Sequence, residues 1–192
     1  MLDLSHAQAL IKRIQALDSG RRLLQGVAND VLTGSKRAIF AFHRGDNKKA
    51  KQELKMAETK IKQGQKIING EPRLAQEGSW RAAREENAEA ILLAQYITDG
   101  RLTPVAHIAQ DPDIFLGALS DLTGELVRRA VMLATDENAK PAIETIFQDV
   151  RDVVDFLLQM DLTGGLRSKL DQAKQNLRKL EEIRYDLAIH RR

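Results

Sequence analysis

The stretch "LRSKLDQAKQNLRKLEEIRYDL", Leu166 to Leu187, decides the fold. Its apolar residues fall at Leu166, Leu170, Ala173, Leu177, Leu180, Ile183 and Leu187. Steps of three and four residues put all of them along one seam of a helix, close to heptad spacing. Most residues between them are Lys, Arg, Gln, Asn, Glu and Asp, which suit the solvated side of such a helix. A seam of this kind is stable only when it lies against other helices, so its neighbours must be read with it.

The same period runs back through the chain. Pro141 can open a helix carrying Ile143, Ile146, Phe147, Val150, Val154, Phe156 and Leu157. Pro112 can open another, with Phe115, Leu119, Leu122, Leu126 and Val131 at helical spacing. Pro72 can open a third that runs to Asp99-Gly100, and "RLTPVAHIAQDP" reads as a connector with a short turn. Asp46 is placed to cap a helix that ends near Asn69-Gly70. Residues 4–44 form one long helix, or two broken at Asp18-Ser19-Gly20. No strand pattern is present. The expected architecture is all-α, one domain over residues 1–192 of six to seven long helices. Such helices expose much apolar surface unless packed side by side, which predicts homo-oligomerisation.

Composition agrees. The chain is 43% hydrophobic but only 4% aromatic, with four prolines and no cysteine. Disulfides, thiolate metal sites and a cysteine nucleophile are therefore excluded. No run reaches the ~18 apolar residues of a membrane span, and the N-terminus lacks a signal-type apolar region. The expected location is the cytoplasm. The net charge of +3 conceals an asymmetry: residues 12–73 hold 15 Lys and Arg against 6 Asp and Glu, while the rest of the chain is acidic. A basic half suits a polyanion, and two differing solvated faces would give the same count.

Two carboxylate pairs stand out. Glu86 and Glu89 are three apart in "REENAEAILLAQYI", and helical steps from them run into Ala90, Leu92, Leu93 and Ile97. Both extend an apolar stripe, where an unpaired charge is costly. Asp121 and Glu125 are four apart, on one face, with Arg128 on the same side. Oxygen donors converging from two helices suit Mg²⁺ or Mn²⁺. Such pairs are also common on solvated helices, bridged to Lys or Arg. No histidine follows a glutamate by three, which argues against a di-iron bundle.

The basic half contains "GSKRAIFAFHRGDNKKAK", Gly34 to Lys51. Lys36, Arg37, His43 and Arg44 alternate with Ile39, Phe40 and Phe42, and Lys36, Arg37 and Arg44 offer donors to phosphates. His43 reads equally as a hydrogen-bonded surface histidine. Trp80, followed by Arg81, is either a base-stacking platform or a core residue.

The hexapeptide "DLTGEL" (Asp121–Leu126) returns as "DLTGGL" (Asp161–Leu166). Apolar periodicity continues through the first, so it lies inside a helix. The tandem glycines of the second mark a turn, with Asp161 or Thr163 placed to cap the last helix. Neither carries the Gly-Lys-Ser/Thr of a phosphate-binding loop.

The strings "KRAIFAFHR", "EENAEAILLAQYI", "SDLTGELVRRAV" and "LEEIRYDLAIHRR" stand in an order and spacing that resembles the translin family. The first and third resemble the Trax (translin-associated factor X) branch more than translin itself, and the likeness runs over roughly residues 5–191. The resemblance implies an all-α fold of the translin type and closed octameric shells that hold RNA or single-stranded DNA. For a Trax-type chain it implies a Mg²⁺-dependent endoribonuclease site. That site's acidic residues match Glu86, Glu89 and Asp121, with Glu125 in support, and the basic region matches Lys36, Arg37, His43 and Arg44. "ILLAQYI" departs from Trax, and Trp80-Arg81 is closer to translin. The compact chain implies a prokaryotic member acting as a homo-octamer. Two functions follow as expectations: a metal-dependent endoribonuclease, or a non-catalytic shell that binds single-stranded DNA or RNA. A helical scaffold with incidental charge is the third.

Overall fold

The computed structural model describes residues 3–136 and 138–189. Glu137 and His190 to Arg192, the end of the last resemblance string, lie outside them. Among the described residues there are six α-helices and no strand: α1 (Leu4–His43), α2 (Asn47–Gly70), α3 (Gly78–Asp99), α4 (Pro112–Leu133), α5 (Lys140–Leu157) and α6 (Gly164–Ile189). Short 3₁₀ turns lie at Pro72–Gln76 and Ala106–Ile108. The chain divides into two compact units, residues 1–87 and 88–192, with α3 running from one into the other. Each unit is described by itself.

In the first unit α1 packs along α2. No break occurs at Asp18-Ser19-Gly20. A Cβ on Gly20 would come within 3.0 Å of Leu74 Cδ1, so this glycine admits a neighbour and does not end the helix. The turn from α1 to α2 passes through Gly45 at φ +74, a left-handed conformation that suits glycine. The Asp46 carboxylate then accepts from the Lys49 N–H at 3.0 Å, capping α2 as its sequence position predicts.

Pro72 opens only the 3₁₀ turn. Glu77 is extended, with ψ 124, and α3 begins after it. The Arg21 Nε donates to the Glu77 carboxylate at 2.8 Å, holding that junction to α1. The core gathers Leu24, Val27, Ala28, Val31, Ile61, Ile68, Leu74, Trp80 and Ala83. Asn87 and Ser35, both buried, are joined by a 3.1 Å hydrogen bond from the asparagine amide to the serine hydroxyl.

In the second unit α4, α5 and α6 pack on one another. Leu116, Val154, Leu157, Leu170 and Ala173 form one core cluster. The predicted apolar residues of α5 are buried except Phe156, which is 43% exposed. Val131 of α4 is exposed as well. The two hexapeptides part as their punctuation predicts. The first lies within α4, where Thr123 Oγ1 accepts from Asn176 Nδ2 of α6 at 2.8 Å. The second spans the α5–α6 connection, and Gly164, at φ +55, opens α6. No described helix is long and apolar enough to cross a membrane.

Candidate functional site

The last two turns of α1 and the first two of α2 build a basic groove. Arg37, Phe40 and Arg44 lie at i, i+3 and i+7 and so share one side of α1. With Lys49 and Glu53 of α2 they line a cavity of about 330 Å³. Phe40 is 49% exposed, an unusual cost for so large an apolar ring. Three cations thus stand around a half-exposed aromatic ring, with a single carboxylate, Glu53, at the α2 wall.

The other predicted basic residues are distributed differently. Lys36 is exposed but does not line this groove, and His43 is buried. Arg81 is half-buried on α3. Trp80 takes the core position of its two readings: it is 1% exposed and sits in the core of the first unit. The reason is Gly64 on α2, where any Cβ would overlap the indole ring. Phe40 and Lys49 were not among the expected binding residues. The spacing of Arg37, Phe40 and Arg44 was the signal available for the first. Lys49 joins only through the tight turn at Gly45.

The carboxylates are held in several settings. Glu86 is half-buried and Glu89 is 7% exposed, one turn apart on α3, on either side of the boundary between the units. On α4, Asp121 accepts from the Lys169 ammonium of α6. Glu125 lies 3.7 Å from the Arg128 guanidinium, one turn on. Glu86 and Glu89 are also engaged in contacts.

The donor chemistry of this set suits a hard cation. Its arrangement does not supply a ready site. Among the described residues no three His, Asp or Glu side chains are grouped to hold a metal ion, and Asp121 already carries an ammonium.

Elsewhere in the second unit, the Tyr96 hydroxyl donates to the Asp149 carboxylate at 2.6 Å. Burial, then this bond and the charge of Asp149, push the Tyr96 pKa well above its ordinary value.

The long helices and the basic, aromatic-bearing groove define the class: an all-α protein with a cationic groove on one of its helix pairs. The chain belongs to the translin family, whose sequence model matches residues 20–191. Among solved structures it is similar to apo-NeC3PO at 22% identity, with a TM-score of 0.85 over 97% of this chain and 98% of that one. It is similar to AfC3PO at 24% identity and a TM-score of 0.81, over the same shares. A structure of AfC3PO with duplex RNA matches at 23% identity and 0.79, again over 97% and 98%. At these identities the likeness establishes the fold. No curated protein matches the sequence.

Proposed function

We propose that this protein binds RNA and single-stranded nucleic acid within a homo-oligomeric shell, an octamer as in the family resemblance. The observation that carries the reading is the groove of Arg37, Phe40, Arg44 and Lys49. Arg37, Arg44 and Lys49 meet backbone phosphates, and the Phe40 ring stacks a base. Phosphate contacts supply affinity through counterion release. Stacking supplies a further ~1–3 kcal/mol per base with little sequence preference. A structure of AfC3PO with duplex RNA gives this binding a precedent among proteins of the same fold. Fluorescence anisotropy with a labelled single-stranded RNA tests it. Phe40→Ala should weaken single-strand binding about tenfold or more and leave duplex binding nearly unchanged, because paired bases are not free to stack. Wild-type affinity for single strands in Phe40→Ala and in Arg37→Ala would remove the groove as the binding site.

A second reading, hydrolysis of the bound RNA, is favoured by the buried carboxylate of Glu89 one turn from Glu86. The Trax-like strings at residues 36–44 and 121–126 support it. In this reading Glu86, Glu89 and Asp121, with Glu125 in support, serve Mg²⁺ or Mn²⁺, and Asp121 has to leave Lys169. Cleavage of labelled RNA in Mg²⁺ and in EDTA distinguishes the two readings. Loss of cleavage with retained binding in Glu89→Ala and Asp121→Ala would support hydrolysis. Intact RNA under both conditions would leave the chain a binding protein.

A further inference from the structure

The second unit carries an apolar opening at its surface. It is a cavity of about 440 Å³ among the end of α3, α4 and α5, with Phe115, Leu122, Leu126 and Phe156 among its walls. Its charged lining residues are Asp149 and Asp152, with no Lys, Arg or His among them. Leu102 and Phe156, two of its walls, are exposed. Exposed apolar side chains inside a rim of one charge sign suit a contact with another protein surface.

The first unit carries a surface of matching chemistry. Over residues 4–17, α1 presents Leu4, Leu10, Ile11 and Ile14, each between 48% and 73% exposed. By helical position these four, with Ala7 and Leu17, cover a stripe about 140° wide. Lys12 and Arg13 flank it on opposite sides, and the segment contains no Asp or Glu. Its 14 residues measure about 21 Å, comparable with the ~27 Å of α5.

We infer that residues 4–17 of one copy seat on the α4–α5 cavity of another copy, with Lys12 and Arg13 against Asp149 and Asp152. The inference rests on the self-association in the proposed function and is independent of RNA binding. The cavity does not suit a copy of itself. A two-fold contact centred on the cavity would bring Asp149 and Asp152, the second 3.9 Å from its own Arg151, against the same residues, and like charges across an interface are costly. A contact between two unlike surfaces propagates around a ring or shell, as a closed assembly requires.

The absence of cysteine gives a direct test. Ile14→Cys is placed on a chain carrying a long tag, and Phe156→Cys on an untagged chain. Mixed and mildly oxidised, they should form a disulfide-linked pair of unequal chains. Ile14→Cys with Gln52→Cys, on the exposed side of α2, should not. Lys12→Glu/Arg13→Glu should weaken assembly in light scattering about tenfold or more, and Asp152→Lys should restore it. These positions are exposed, so the fold survives the changes. A wild type that is monomeric would overturn the self-association itself. A wild type that stays multimeric, with no selective disulfide and no response to charge reversal, would overturn this seat alone.

Discussion

The Lys169 ammonium on α6 donates to the Asp121 carboxylate on α4, and both side chains are about one-third exposed. The bond places a cation on the carboxylate that a divalent ion would need. Lys169→Met should therefore raise affinity for Mn²⁺, followed by its paramagnetic resonance signal, if Asp121 is a ligand. The cost in stability should stay within ~1 kcal/mol, since solvent screens a pair this exposed. Unchanged Mn²⁺ affinity would leave Asp121 as a helix-to-helix contact only.

Gly64 and Gly26 respond to alanine with opposite signs. Both lie inside helices, where alanine is favoured over glycine by up to ~1 kcal/mol. At Gly64 the added methyl would overlap the Trp80 ring, and the rigid indole, buried against its neighbours, cannot swing aside. The overpacking cost of ~1–3 kcal/mol exceeds the helix gain. At Gly26 nothing lies within 4 Å of the added carbon. Urea unfolding should show Gly64→Ala destabilised and Gly26→Ala neutral to stabilised; equal effects would remove the close approach as the reason for Gly64.

The Gly64–Trp80 contact also marks what the sequence leaves open. Helical periodicity identifies the buried seam of α6 at Leu170, Ala173 and Leu180, and most of α5, because 3.6-residue spacing is a local property. It assigns Phe156 and Val131 to the same stripes, yet both are exposed. Periodicity tells that a residue faces an apolar neighbour and not whether that neighbour belongs to the same chain. Trp80 is buried because a residue 16 positions earlier has no side chain, a pairing no local pattern encodes. The spacing of Asp121 and Glu125 puts them one turn apart. That Lys169, 48 residues on, reaches Asp121 depends on how α6 packs on α4.

Tyr96 and Asp149 predict a response to alkali. The folded-state pKa of Tyr96 is raised above its unfolded value of 10.0, by burial first and by Asp149 second. The neutral phenol is favoured in the native state. Its contribution is fully present below pH 10 and is lost as pH rises above the unfolded value, where the unfolded chain releases the proton first. Thermal midpoints of wild type should fall more steeply above pH 10 than those of Tyr96→Phe. Near pH 7, Tyr96→Phe should cost ~1–2 kcal/mol, having removed the bond to a carboxylate. Parallel pH profiles would show that the bond does not form in solution.

Arg44 and Lys36 separate the groove from the basic sequence around it. Both are exposed cations near the end of α1, but only Arg44 lines the cavity with Phe40 and Lys49. A phosphate contact on a single strand contributes ~0.7 to the slope of log affinity against log salt. Arg44→Ala should lower that slope by about this amount and weaken binding across all sequences. Lys36→Ala should leave the slope within error, because Lys36 does not line the groove and its charge acts only through the screened field. Glu53→Gln removes the one carboxylate in the lining, so it should strengthen binding most at low salt. Anisotropy titrations of a labelled single-stranded RNA at several salt concentrations measure all three. Equal slopes for Arg44→Ala and Lys36→Ala would mean that the whole basic surface, and not this groove, attracts the nucleic acid.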